Sequence, residues 1–331
     1  MQPVVQQLGV IGCGLIGGSF ALALKRAGMV RQVVGYSKSP TTTETARRLG
    51  VIDRVAESAL LAVSGSDVVL VAVPVAATET TLKNIRELVS PDMLVMDVGS
   101  TKRDVVDTAR RVLGEKIGSF VPAHPIAGKE SAGVQHADGA LYQGRQVILT
   151  PLPQTRASHV DRATLLWQAA GAVVQQMSAD SHDAAFAAVS HLPHLLAFAY
   201  FSAIANQPAG PEFLSLAGPG FRDFTRIAAS DPTIWRDILL ANREEVLRQS
   251  QRFRYQLKLL ETAMTSGQSA DLEELIRLPA LARSQWQIGG APVTTGHPGP
   301  APQGGAATTG AAGSGTPPAG QTPSPGAPRP R

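Results

Sequence analysis

Leu8–Phe20 reads LGVIGCGLIGGSF, an apolar run followed at once by a glycine-rich turn and a second apolar-periodic segment. Leu8, Val10 and Ile11 predict a buried strand, and Phe20, Leu22 and Leu24 predict a helix that closes at Ala27-Gly28. Between them Gly12, Gly14 and Gly17 fall on the spacing G-x-G-x-x-G. The first glycine permits the tight turn, the second removes a side chain where backbone must approach a pyrophosphate, and the third lets helix lie close to strand. The first helical residues, Leu15 and Ile16, then present amide donors and the positive end of a helix dipole to that anion. Cys13, at a variable position of the turn, reads as a small filling residue and not as a nucleophile.

Downstream, strands and helices alternate: a strand at 32–36, a helix at 43–49, a strand at 67–73, a helix at 78–88, a strand at 93–98 and a helix at 102–113. That order predicts a doubly wound, Rossmann-type parallel sheet whose ligands gather at the carboxyl ends of its strands. Those ends carry Val73-Pro74, Gly99-Ser100 and Ala123-His124-Pro125. Ser100 and His124 are thereby expected to converge where a nicotinamide lies, with Ser100 also a candidate helix cap. His124, held extended by the proline after it, is a candidate general acid or base. The end of the second strand should read the cofactor's ribose. Where NAD-specific units place an acidic residue, this chain has Ser37 and Lys38, a hydroxyl and a cation suited to a 2′-phosphate, which favours NADP over NAD.

After further strands at 147–149 and 173–176, helices take over. The expected division is a dinucleotide-binding domain at 1–178, an all-helical domain at 179–288, and a disordered tail at 289–331. In that tail Gly, Pro, Ala, Ser and Thr dominate. From His182 to Asn206 the chain is apolar on nearly every side, as a fully buried helix should be, with His191 and His194 on one face and Pro193 expected to bend it. Arg222 and Arg226, beside Phe221 and Phe224, read as an anion site. Ser230 is the expected cap of a long amphipathic helix running from Ile234 to Met264.

Composition narrows the class. The net charge is +4 over 331 residues, and Arg329 and Arg331 of the tail account for two of the four, so no basic surface for nucleic acid is expected. No uninterrupted run of 18 apolar residues and no signal-peptide pattern is found, and one cysteine forms no internal disulfide, so a cytoplasmic protein without membrane attachment is expected. No set of ligands has metal spacing, so no metal is proposed.

Five strings in this order resemble the prephenate dehydrogenase family, with its arogenate and broad-specificity cyclohexadienyl members, over about residues 5–285. They are GCGLIGG at Gly12–Gly18, DVGSTK at Asp97–Lys102, HPIAGKESAG at His124–Gly133, SHLPH at Ser190–His194 and GFRDFTRIAASDPTIW at Gly220–Trp235. The resemblance implies oxidative decarboxylation of prephenate, or of arogenate, by an intertwined homodimer. It further implies that His124 takes or shares the proton of the substrate hydroxyl and that Ser100 bonds the same oxygen. Arg226 matches the family's carboxylate-binding arginine, His191 and His194 match its pocket histidines, and Lys129 with Glu130 matches a segment that closes over the site. Two alternatives stay open on the residues alone: a non-catalytic dinucleotide sensor on the same fold, or another NADP-dependent two-domain dehydrogenase.

Overall fold

The computed structural model describes residues 4–129 and 131–287; Glu130 and the tail 289–331 lie outside the described residues. In the N-terminal half the order is β1 (Val5–Ile11), α1 (Leu15–Arg26), β2 (Val30–Tyr36), α2 (Pro40–Arg48), β3 (Arg54–Val55), α3 (Ala59–Val63), β4 (Val68–Val71) and α4 (Thr78–Ile85). There follow β5 (Leu94–Asp97), α5 (Arg103–Leu113), β6 (Phe120–Val121), β7 (Ala123–Pro125), β8 (Gln146–Leu149), α6 (Ala157–Ala169) and β9 (Val173–Gln176). The helical half holds α7 (Ala179–Phe186), α8 (Leu192–Ala205), α9 (Gly210–Ser215), α10 (Pro219–Thr225), α11 (Pro232–Ala241), α12 (Arg243–Ser266) and α13 (Ser269–Gln285).

Six strands form one parallel sheet in the order β3-β2-β1-β4-β5-β6. Its β-branched strands alternate their side chains between two cores, as a sheet covered on both faces must. Val33 and Leu70 face the core that contains Phe20, Leu24 and Trp167, while their neighbours Val34 and Val69 face Leu82, Ile85, Val105 and Phe120. Phe20 and Trp167 pack with ring centroids 4.4 Å apart, and Tyr142 meets the same indole edge-on at 5.2 Å. Each such large apolar side chain contributes roughly 1.5–3 kcal/mol by leaving water. The strand order reverses between β1 and β4, so the crevice outside those two strands is the topological switch point where α/β sheets bind ligands.

Three features differ from the sequence reading. His124 does not end a strand of the main sheet: after β6 the chain steps off Pro122 into β7, which pairs antiparallel with β8, and β8 pairs parallel with β9 in a separate three-stranded sheet. The apolar helix of 182–206 is two helices joined by a π-helical turn at Ala187–His191, the extra residue lying just before Pro193, which has no amide to continue the ladder. It is also not buried all round, since Val189 is 71% exposed and Tyr200 and Phe201 are exposed as well. The long amphipathic helix breaks at Asn242, and its cap is Asp231, whose carboxylate accepts from the amides of Thr233 and Ile234; the Ser230 hydroxyl instead donates to the Ile227 carbonyl.

The chain divides into two compact units, Met1–Lys258 and Leu259–Arg331. In the second, the last turns of α12 end at Ser266, Gly267 adopts a positive φ of 66° where the helix stops, and α13 follows.

Candidate active site

The glycine turn has the geometry a dinucleotide requires. Gly12 has φ 99°, and a Cβ there would lie 2.1 Å from the Ala72 carbonyl oxygen of the neighbouring strand, so only glycine fits. A Cβ on Gly14 would instead meet nothing within 4 Å. Gly14 is also the N-cap of α1 and makes no side-chain cap; the first intrahelical bond runs from the Gly18 amide to the Gly14 carbonyl at 2.9 Å. The amides of Leu15, Ile16 and Gly17 ahead of it are free to hold a diphosphate, so the residues present fit a dinucleotide. At the ribose end the Ser37 hydroxyl accepts a 2.8 Å bond from the Cys13 amide, while Lys38 is exposed. Cys13 is fully buried and its thiol is pushed up to about 11 by that burial, which leaves it inert.

A cavity of about 440 Å³ opens outside β1 and β4, lined by Gly14–Ile16, Val73, Pro74, Gly99, Ser100, Gly128 and Lys129, with Trp235 and Ile238 on the opposite side. A second, of about 720 Å³, is lined by Lys129, Asp138, Arg145, His194 and Arg226. Lys129 borders both. The partition between them also includes a stacked pair, His194 on Trp235, with ring centroids 3.5 Å apart and 19° between planes.

Behind Ser100 lies a hydrogen-bonded chain with no slack in its protonation. Asp183 of α7 accepts from the backbone amides of Lys102 (2.8 Å) and Arg103 (3.0 Å), and so caps α5 from eighty residues away. That role was assigned to Ser100 on sequence. Burial raises the Asp183 pKa, but the His182 hydrogen bond and the two amides outweigh it and hold the carboxyl below its usual range. The carboxylate therefore takes the Nδ1 proton of His182 at 2.8 Å. With its proton there, His182 can only accept at Nε2, so His124, 2.8 Å away, donates from Nδ1. One lone pair is left, on His124 Nε2, and among the described residues no protein group bonds to it. Burial, with the positive charge of Lys102 and the neighbouring histidines, pushes the His124 pKa well below its ordinary value, and burial lowers His182 too. Both rings are thus neutral at neutral pH. The Lys102 ammonium is itself fully buried and held at 2.5 Å by Asp97, whose carboxylate also accepts from the amides of Gly99 and Ala123, tying the Ser100 loop to the His124 strand.

The remaining sequence candidates separate into two groups. His191 is 1% exposed and bonds to Asn242 instead of opening on a cavity. His194 lines the second cavity with Arg226; its Nδ1 donates to the Ser190 carbonyl at 2.9 Å, so the neutral ring offers an acceptor at Nε2. Lys129 is partly committed to Asp138 at 3.1 Å. Arg222 is exposed, paired with Asp223 at 3.0 Å, and lines neither cavity. The sequence reading missed His182, Asp183 and Asn242. Their signals were a His-Asp dipeptide at the start of an apolar helix, and one polar residue in the stripe Ile234, Ile238, Asn242, Val246. Among the described residues no group of three or more His, Cys, Asp or Glu side chains is placed to hold a metal ion.

A dinucleotide crevice at the switch point of a parallel sheet, with a neutral histidine behind it, fits a class: a nicotinamide-dependent dehydrogenase. Residues 20–176 match the family model for the prephenate dehydrogenase nucleotide-binding domain and residues 178–278 that for the prephenate dehydrogenase dimerization domain. The chain belongs to the prephenate dehydrogenase family. It is 36% identical over 275 residues to a prephenate dehydrogenase of Bacillus subtilis, covering 80% of this chain and 71% of that one. It is 34% identical to a cyclohexadienyl dehydrogenase of Zymomonas mobilis, covering 80% and 90%. The crystal structure of prephenate dehydrogenase from A. aeolicus in complex with hydroxyphenyl propionate and NAD+ superimposes with a TM-score of 0.80 at 35% identity, covering 85% of this chain and 98% of that one.

Proposed function

We propose that this chain oxidises prephenate to 4-hydroxyphenylpyruvate with loss of carbon dioxide, on the route to tyrosine, and that arogenate is a second substrate. The observation that carries the reading is the hydrogen-bonded chain Asp183–His182–His124, which ends in a single unprotonated nitrogen. A bound nicotinamide dinucleotide, held by the glycine turn and the walls at Val73 and Pro74, supplies the acceptor for hydride. His124 Nε2 takes the hydrogen bond of the ring hydroxyl and Ser100 contacts the same oxygen. As hydride leaves the carbon bearing that hydroxyl, the electron pair of the breaking carbon–carboxylate bond enters the ring, which becomes aromatic. The proton shared with His124 remains with the product phenol. Because aromatisation drives the step, the protein has mainly to orient the substrate and keep the base neutral. Arg226 and Lys129 meet the substrate's anionic groups at the outer cavity, and His194 stands beside them.

Ser37 and Lys38 favour acceptance of NADP alongside NAD. The dimerisation assignment fits the exposed apolar side chains Tyr200, Phe201, Phe213, Leu216 and Phe224 of α8–α10, a surface that a second copy would cover. The same reading accounts for Ala179–Ala205, which is long and apolar enough to cross a membrane yet only 28% buried over its most apolar window. It carries the His182–Asp183 pair and a π-helical turn, and we read it as an interface helix of a cytoplasmic enzyme. The test is absorbance at the reduced-nicotinamide band with purified protein, prephenate or arogenate, and each dinucleotide. Reduction with prephenate is expected; none with either substrate and either cofactor would leave the sensor reading standing.

A further inference from the structure

Asn242 fills the break between α11 and α12 at 1% exposure, where the apolar stripe of that segment calls for an aliphatic side chain. A buried amide is costly unless every donor is used, and here the donors go to two elements around the base. Its Nδ2 lies 2.8 Å from the Asp183 carbonyl oxygen and 3.1 Å from His191 Nδ1, while its Oδ1 accepts from the Arg103 guanidinium at 3.4 Å. A backbone carbonyl only accepts, so this contact fixes which end of the carboxamide is nitrogen. The second proton on that nitrogen then goes to His191 Nδ1, which must be unprotonated. His191 therefore carries its hydrogen on Nε2.

One amide thus dictates two arms. The first arm holds the main chain of Asp183, whose carboxylate sets His182 and through it His124. The second sets the tautomer of His191, while the loop that carries Ser100 is tied to the first arm, since the Asp183 carboxylate accepts from the amides of Lys102 and Arg103. We propose that Asn242 is a positioning residue for the dehydrogenation, holding Ser100 and His124 in register so that both reach one substrate hydroxyl. This rests on the assignment of those two residues to that hydroxyl given above.

The decisive variant is Asn242→Asp, which keeps the shape, retains an acceptor for Arg103 and removes both donors. The carboxylate would repel the Asp183 carbonyl and draw the His191 proton to Nδ1. Prephenate oxidation should lose about 10- to 100-fold in kcat while the KM for dinucleotide stays within about two-fold, since the glycine turn is untouched. Asn242→Ser, which keeps a single donor, should lose less, and it carries the comparison if the aspartate variant does not fold. A cycle of Asn242→Ala and His191→Ala tests the second arm: the double variant should be within about two-fold of the worse single variant. Unchanged kcat in both the aspartate and serine variants would overturn the proposal, and fully multiplicative losses in the cycle would remove the His191 arm. His124→Asn in the same assay separates the two readings. If that variant is unimpaired the base assignment fails, whereas an impaired His124 variant beside an unimpaired Asn242→Asp sinks only the role of Asn242.

Discussion

The buried chain behind Ser100 and the cationic rim of the outer cavity do their work under opposite physical conditions. In the chain, Lys102, His182, Asp183, His191 and Asn242 are essentially unexposed, and each is satisfied by another member or by backbone. Their protonation states follow from one another, because in a low dielectric a misplaced proton leaves an unpaired group. At the rim, Lys129, Arg145 and Arg226 are exposed, and Lys129 is shared with Asp138. Water screens such charges, and a contact there is worth about 1 kcal/mol or less until a ligand excludes the solvent. On the proposed function, the chemistry is set before substrate arrives, whereas recognition is completed on binding. Substitutions in the chain should strike kcat, and substitutions at the rim should strike KM.

The largest expected effect tests the first half of that statement. His124→Asn should lower kcat by ~10²–10⁴-fold with little change in KM for prephenate, as loss of a general base does. Asp183→Asn should cost a comparable amount by a different route: the amide can present a donor to His182 and so reverse the tautomers down to His124. It also weakens the cap on α5, so a lower Tm should accompany it. Steady-state kinetics of the two variants side by side decide the matter, and an Asp183→Asn enzyme with near-normal kcat would mean that His124 holds its tautomer without the chain.

Acid should break the chain next. His124, His182 and His191 all have depressed pKa values in the folded protein, with burial the leading cause in each, and His191 is lowered to about 4. A histidine depressed on folding is neutral in both states above its unfolded pKa of about 6.5, so its contribution is intact there. As pH falls below that value the unfolded chain takes up protons that the folded one refuses, and stability is lost until the folded pKa is reached. For His191 alone the span from about 6.5 to about 4 corresponds to roughly 3 kcal/mol. The Tm should accordingly be flat from pH 8 to 7 and fall steadily between pH 6.5 and 4.5, with the acid limb of kcat/KM also below pH 6.5. A Tm indifferent to pH over that interval would show that these rings are protonated without penalty.

The same contrast explains what could be read in the sequence. The glycine turn was legible because a tight turn needs backbone geometry that few residues permit, and at Gly12 a positive φ and the clash a Cβ would make with Ala72 require glycine. Ser100 stood out from its place at a strand end. His124 was singled out for the same reason but on a strand that belongs to another sheet, because Pro122 diverts the chain between β6 and β7 in a way that local pattern does not show. His182, Asp183 and Asn242 could not be assembled, since their partners lie from one to about eighty residues apart and only packing brings α5, α7 and α11 together. Asn242 did leave a trace, as the polar member of an apolar stripe, and so did the exposed face of α8, whose hydrophobicity was mistaken for burial within the subunit.

A smaller effect is expected at the rim. Arg226→Ala should raise the KM for prephenate by about 10-fold, roughly 1.4 kcal/mol, with kcat changed less than two-fold. The exposure of Arg226 keeps the effect this small, since solvent and Lys129 remain to share the anion. A fall in kcat with KM constant would move Arg226 from recognition to chemistry and erase the division drawn between chain and rim.

The smallest effect concerns the other end of the cofactor crevice, where a rim-like surface again meets an anion. The Ser37 oxygen is fixed by the Cys13 amide, and Lys38 beside it is exposed. A 2′-phosphate would thus meet a hydroxyl and one screened cation, with no carboxylate to repel it. An exposed ammonium–phosphate contact contributes only about 1 kcal/mol, so kcat/KM should favour NADP by ~5- to 10-fold without excluding NAD. Ser37→Asp should reverse the order, because a carboxylate at that position repels the phosphate and accepts from the 2′-hydroxyl of NAD. The Cys13 amide would still have an acceptor in the variant, so the glycine turn should hold its geometry and the change should fall on discrimination alone. Measuring kcat/KM for both dinucleotides in both proteins at fixed ionic strength decides it. Raising the salt concentration should compress the wild-type preference, as it does for any solvent-screened ion pair, and leave the hydroxyl's part. A wild-type enzyme that strongly prefers NAD would place Lys38 out of reach of the ribose and leave Ser37 with no part beyond holding the turn.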